Sequence, residues 1–201
     1  MRALLITRAL LAAALLVCGA AVRAASDTAV FAGGCFWCVE ADFDTVPGVI
    51  STTSGYTGGQ VPNPSYEQVA AKHTGHAEAV LVVFDPQRVS YAQLVEFFWR
   101  SIDPTTVDQQ FCDVGSPYRT AIFVRGAEQR ATAEASLAAL QKNKPFKEDI
   151  VTGIVDAGPF YPAEDYHQDY YRKNPVRYGY YRYGCGRDER VKALWGQSVA
   201  H

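Results

Sequence analysis

The chain has 201 residues, with 19 basic and 21 acidic side chains and a net charge of −2. That balance supplies no basic surface for nucleic acid or an anionic membrane. Twelve tyrosines and ten phenylalanines provide the ring surface of a packed core and exclude a disordered chain.

The first segment reads as a secretory leader. Arg2 and Arg8 flank its start, an apolar run covers Ala9 to Val17, and Val22-Arg23-Ala24 offers small residues for cleavage before Ala25. The run is too short to span a membrane. Cys18 raises a lipoprotein reading, but Val17 before it suits that poorly. The expected layout is a leader over 1–24 and one domain over 25–201, exported to the periplasm. Without the leader's three arginines the chain is more acidic. It also has no methionine, since Met1 is the sole one, which suits an oxidising setting.

Thr28 to Ala32 reads as a buried strand. Gly33 and Gly34 permit a tight turn. After it, Val39, Phe43 and Val46 recur at helical spacing with acids between them. Cys35 therefore stands at a helix mouth, where free amides and the dipole favour a thiolate. Phe36 and Trp37 are two large rings beside it.

Gly48 to Tyr56 is β-type, and Val61 to Tyr66, with Pro62 and Pro64, must be a loop. Ala79 to Phe84 is apolar on both faces, as in a central strand. Ser90 and Gln93 form a capping-box pattern ahead of a helix to Trp99. Thr105 to Pro117 is irregular, and Tyr118 to Arg125 is a strand. Ala127 to Lys142 is a helix with Ala133, Leu137 and Leu140 inward, and Ile150 to Asp156 is a strand. Ala163 to Arg172 is a short helix. The tail from Asn174 reads as a long irregular segment that keeps Cys185, between Gly184 and Gly186, mobile. Strands and helices do not alternate strictly, so the class is α+β.

Four cysteines lie beyond the leader: Cys35, Cys38, Cys112 and Cys185. Two structural disulfides, half a zinc site, or a redox pair at Cys35 and Cys38 are each open readings. No second Cys-x-x-Cys exists, which argues against zinc. No histidine follows Cys38, which removes haem attachment.

The residues also carry a family resemblance, in blocks running from Val30 to about Trp195. The blocks are Gly34-Cys35-Phe36-Trp37, Ser54 to Gly59, Pro62 to Tyr66, Gly75 to Val80 and Phe111 to Gly115 with Tyr118-Arg119. Ala163 to Gln168 and Tyr183 to Asp188 complete them. In that order they resemble the A-type peptide methionine sulfoxide reductases.

The resemblance implies a two-layer α+β sandwich around a mixed sheet, with Cys35 as nucleophile and Phe36 and Trp37 holding the substrate methyl group. Glu78 would be the general acid. It shares a strand face with Val80, Val82 and Phe84, and burial there raises a carboxyl pKa. Tyr66 and Tyr118 would hydrogen-bond the sulfoxide oxygen, and Asp113 would order the polar side of the pocket. His76 and His167 read as structural.

Cys35 would become a sulfenic acid, condense with a second cysteine, and be recycled by a thioredoxin-type dithiol. The family reduces the S epimer and implies no metal or organic cofactor. A monomer is expected. The usual glycine after the tryptophan is here Cys38, so Cys185, Cys38 and Cys112 all stand as resolving cysteines. The rival readings are a thiol–disulfide oxidoreductase using Cys35 and Cys38, and a disulfide-stapled binding domain.

Overall fold

The structure, a computed structural model, describes residues 26–196. The expected leader and its cleavage site lie outside them. The elements run β1 (Asp27–Gly33), α1 (Phe36–Phe43), β2 (Val49–Thr57), α2 (Tyr66–Ala70), β3 (Ala77–Phe84) and α3 (Tyr91–Ser101). Two short strands follow, β4 (Gln109–Gln110) and β5 (Asp113–Val114), then a 3-10 turn at Ser116–Tyr118 and β6 (Thr120–Val124). The chain continues with α4 (Gly126–Asn143), β7 (Gly153–Asp156), β8 (Tyr161–Pro162), α5 (Tyr170–Lys173), α6 (Pro175–Gly184) and α7 (Arg187–Trp195).

Six strands form one sheet in the order β7-β6-β1-β3-β2-β8. Every pairing is antiparallel except β6 with β7, whose parallel register follows from the α4 crossover. The sheet is therefore mixed and the fold α+β, as expected. Strand alternation splits its two faces. Phe31, Val80, Val82 and Ile122 face the main core with Phe43, Leu94, Phe98 and Trp99 from the helices. Val30, Ala32, Ala79, Ala121 and Phe123 make a thinner cluster on the other face, covered in part by Phe160. Gly55 permits that cover, because a Cβ there would sit 2.4 Å from the Tyr161 carbonyl oxygen.

The capping box at Ser90 and Gln93 forms as expected. The segment expected to be loop ends in a second one: Ser65 accepts from the Gln68 amide and opens α2, so Tyr66 is a helical residue. Tyr118 lies in the 3-10 turn rather than in a strand, since its amide donates to the Gly115 carbonyl at 2.9 Å. The helix expected over Ala163 to Arg172 is only the short α5.

The tail is the main correction. It holds two helices, not an irregular segment. Pro175 occupies the first turn of α6, where its missing N–H costs nothing. Gly186 adopts φ +65 and separates α6 from α7. Two buried arginines then dock these helices. Arg182 meets Asp42 of α1 at 2.8 Å, and Arg187 meets it at 3.3 Å. Arg187 also donates to the carbonyls of Gly33 and Ser101. The C-terminal helices thus grip the glycine turn that carries Cys35.

Candidate active site

The turn from β1 to α1 needs Gly34, whose φ is +85 and whose Cβ position lies 2.4 Å from the Gln110 Cβ. Cys35 follows as the N-cap of α1 and is 7% exposed. The Phe36 amide, one of the free amides of that helix end, donates to Glu78 Oε2 at 3.1 Å. Glu78 stands across from Tyr56 near the start of β3 and is 3% exposed. Burial pushes its carboxyl up to about 8, against the opposing hydrogen bond from Phe36.

Cys35, Phe36, Trp37, Tyr66, Glu78, Asp113, Tyr118 and Tyr181 line one hollow of about 180 Å³. A water occupies about 30 Å³ of liquid, so the hollow suits the end of a side chain rather than a nucleotide or flavin. Tyr66 enters from the start of α2, whose amide at that residue donates to Glu164 Oε1 at 2.8 Å. Glu164 also accepts from the Tyr56 hydroxyl, so one carboxylate ties α2 to the sheet. Burial raises the Tyr66 phenol to about 12 and raises Tyr118 too, so both keep their protons. Asp113 opens β5 and accepts a hydrogen bond from Tyr181 on α6.

Trp37 is fixed on two sides. Its ring stacks on Tyr170 with centroids 3.7 Å apart, and its indole N–H donates to His167 Nδ1 at 2.9 Å. His167 therefore orients a pocket ring. His76 uses both ring nitrogens on the 59–61 loop, at the Gly59 amide and the Val61 carbonyl.

The sulfurs differ from expectation in two respects. Burial pushes the Cys35 thiol well up, and its neighbours Cys38 and Glu78 add to this. Burial therefore outweighs the helix mouth, whose Phe36 amide faces Glu78. Cys38, in the first turn of α1, is lowered by its hydrogen bond with Cys35 and then by Arg187 and Arg182. Both thiols are free and buried. Cys185 is not mobile. It caps α6 and is bonded to Cys112.

Cys112, Asp113 and Cys185 bring three possible metal-ligand atoms within 4.8 Å of one another, but the disulfide removes two thiolates from that set. The larger hollow of about 530 Å³, bordered by Ala41, Tyr171, Tyr178 and Arg182, contains none of the sulfurs.

Tyr181, Tyr170 and Glu164 border or brace the pocket without having been singled out from sequence. Their signal was weak: Tyr178 and Tyr181 have helical spacing, but Gly179 and Gly184 mask it.

A buried thiol beside a protonated carboxyl and two phenols defines a thiol-dependent oxidoreductase. Residues 27–199 match the family model described as peptide methionine sulfoxide reductase. The chain is 55% identical over 169 residues to the peptide methionine sulfoxide reductase MsrA of Ligilactobacillus salivarius, covering 84% of this chain and 98% of that one. It is 54% identical over 170 residues to MsrA 2 of Rhizobium meliloti, covering 84% and 83%. Among solved structures, methionine sulfoxide reductase A of Corynebacterium diphtheriae matches with a TM-score of 0.67 at 36% identity, covering 75% and 76%. Reduced Mxr1 of Saccharomyces cerevisiae matches with a TM-score of 0.71 at 30% identity, covering 75% and 87%. The chain belongs to the A-type peptide methionine sulfoxide reductase family.

Proposed function

We propose that the protein reduces the S epimer of methionine sulfoxide, in peptides and free, through Cys35. The single observation that supports this most is the shared hollow in which the Cys35 sulfur meets Glu78, Tyr66 and Tyr118. A sulfoxide has an electrophilic sulfur and a basic oxygen. The Cys35 sulfur attacks the former while the Glu78 carboxyl protonates the latter. Tyr66 and Tyr118 donate to the oxygen, and Phe36 and Trp37 enclose the methyl group. The substrate S–O bond breaks as the oxygen passes to the Cys35 sulfur, so the thioether leaves and Cys35 becomes a sulfenic acid, its two-electron oxidation matching the two-electron reduction of the sulfoxide.

Cys38 is the first resolving partner in this reading. It is a free thiol in the first turn of the same helix, and its neighbour Cys35 lowers its pKa. The Cys38 sulfur attacks the sulfenic sulfur, its proton leaves with the departing oxygen as water, and a Cys35–Cys38 disulfide forms. An external dithiol of the thioredoxin type then reopens it by exchange. Cys112 and Cys185 are already joined, so Cys185 is a partner for Cys35 only after that bond is reduced.

The leader pattern of Arg2, Arg8, the Ala9 to Val17 run and Ala24 supports export. A disulfide at Cys112–Cys185 suits an oxidising compartment. The mass of the protein recovered from the periplasm tests the boundary after Ala24.

The decisive experiment follows one turnover of the fully reduced protein on separated sulfoxide epimers. One methionine per enzyme from the S epimer, none from the R epimer and none with Cys35→Ser is the expected result. Methionine formation by Cys35→Ser overturns the reading. Turnover of protein disulfides with no sulfoxide reduction favours instead the oxidoreductase that uses Cys35 and Cys38 alone.

A further inference from the structure

Tyr181 lines the hollow, yet the reaction as written gives it no work. It projects from α6, and its ring meets Trp37 edge-on with centroids 5.7 Å apart and planes at 77°. Its hydroxyl lies 2.5 Å from Asp113 Oδ2, and it shares the hollow with the Cys35 sulfur, whose pKa it lowers. A phenol has one proton, so the two acceptors compete for it. With Cys35 as a neutral thiol, the Asp113 carboxylate is the better acceptor. Once the sulfur is charged and Asp113 holds the proton, the sulfur is the ionised one of the two acceptors, and bonds to an ionised acceptor are the stronger ones.

The helix end gives Cys35 no such help, since the Phe36 amide faces Glu78. Tyr181 is also firmly held. The next residue, Arg182, pairs with buried Asp42, and Cys185 one turn further on is bonded to Cys112, the neighbour of Asp113. Both partners of the short hydrogen bond therefore sit beside one covalent tie.

We propose that Tyr181 is a catalytic residue whose hydroxyl turns from the Asp113 carboxylate to the Cys35 sulfur as that sulfur loses its proton. The proposal rests on Cys35 being the nucleophile. The Cys35 proton moves to the phenol oxygen as the phenol's own proton passes to the Asp113 carboxylate, so Tyr181 ends neutral and Cys35 ends as a thiolate. Asp113 has a raised carboxyl pKa from burial, so it can take up a proton and donate back to the phenol oxygen. Tyr181 then does for the thiolate what the helix amide does for Glu78.

The test compares wild type, Tyr181→Phe, Cys35→Ser and Tyr180→Phe, the last changing an 83% exposed neighbour on the same helix. Two readouts are taken: the single-turnover rate on methionine sulfoxide, and the pH profile of Cys35 alkylation followed on its own peptide by mass spectrometry. One hydrogen bond to a charged sulfur corresponds to about 10- to 100-fold in rate. Tyr181→Phe should lose that much with little change in half-saturating substrate, and its Cys35 profile should move to higher pH. Tyr180→Phe should match wild type in both. A merely structural tyrosine would leave the Cys35 profile in place. If Cys35→Ser is inactive while Tyr181→Phe equals wild type in both readouts, the proposal fails and the nucleophile stands. Activity in Cys35→Ser removes the nucleophile itself, and the proposal with it. A fluorinated tyrosine at position 181, a more acidic donor of nearly the same shape, should move the profile to lower pH. No movement there overturns the proposal even if the phenylalanine variant does not fold.

Discussion

The Phe36 amide donates to Glu78 Oε2 at 3.1 Å. This contact joins the first turn of α1 to the second residue of β3, and it decides which group the helix end serves. The positive end of a helix favours an ionised carboxylate, yet burial outweighs it and leaves the Glu78 carboxyl at about 8. A neutral, oriented acid is what a departing sulfoxide oxygen requires.

Glu78 sets a pH limit on the chemistry. Single-turnover reduction should fall as pH rises through about 8, where Glu78 loses its proton. Glu78→Gln should slow that step by about 100- to 10,000-fold and flatten this limb of the profile. Stopped-flow or quench measurements across pH check both. An unchanged rate in the glutamine variant would take the acid role away from Glu78.

The same group makes stability depend on pH. Its folded pKa is raised above the ordinary value of 4.5. Its favourable contribution is complete below about 4.5, declines as the unfolded state ionises, and is gone once pH passes the folded value of about 8. Glu78→Gln has no such loss. It should therefore melt above wild type at pH 9, with that advantage shrinking toward pH 4, as thermal scans at the two pH values would record.

Cys38 and Cys185 separate in cycling rather than in the first turnover. Cys38→Ser should yield one methionine per enzyme and then stop, with a sulfenic acid on Cys35 that a dimedone-type probe captures. Cys185→Ser should continue to cycle with a dithiol donor. If Cys38→Ser cycles at the wild-type rate, another cysteine resolves the intermediate.

Asp42 is 0% exposed, accepts a hydrogen bond from Arg182 and pairs with Arg187 at 3.3 Å. Asp42→Ala leaves two buried cations without it, a change that costs about 3–5 kcal/mol. The expected result is a lower denaturant midpoint together with easier proteolysis of the C-terminal helices. A midpoint equal to wild type would mean that packing alone docks α6 and α7.

Gly34→Ala tests the turn itself. A Cβ at φ +85 would stand 2.4 Å from the Gln110 Cβ. Left-handed strain of about 1–2 kcal/mol and overpacking of about 1–3 kcal/mol act together. The variant should melt well below wild type and reduce sulfoxide poorly, and calorimetry beside a single-turnover assay decides it.

Much of the architecture was legible because local signals agreed with one another. Continuous apolar runs marked β1, β3 and β6, and Ser90 with Gln93 marked the start of α3. The tail from Asn174 was illegible for a physical reason. Glycines lower helix propensity, and α6 and α7 are held by Arg182 and Arg187 reaching Asp42 more than a hundred residues away. No local window contains that contact. Tyr118 was misplaced at an element boundary, as the 3-10 turn of Ser116–Tyr118 runs past Pro117 before β6 begins at Thr120.

The sequence by itself determined the strand–glycine–helix turn at Cys35 and the apolar face around Glu78, because both depend on neighbours one or two residues away. It also carried the family, through blocks whose order survives in the linear chain. Tertiary structure alone decided where the helix-end amide points, which cysteines are joined and which are free, and that Tyr181 lines the hollow of the sulfur. Those outcomes depend on burial and on side chains meeting across the sheet and the terminal helices, and burial, more than the helix dipole, governs the protons on Cys35 and Glu78.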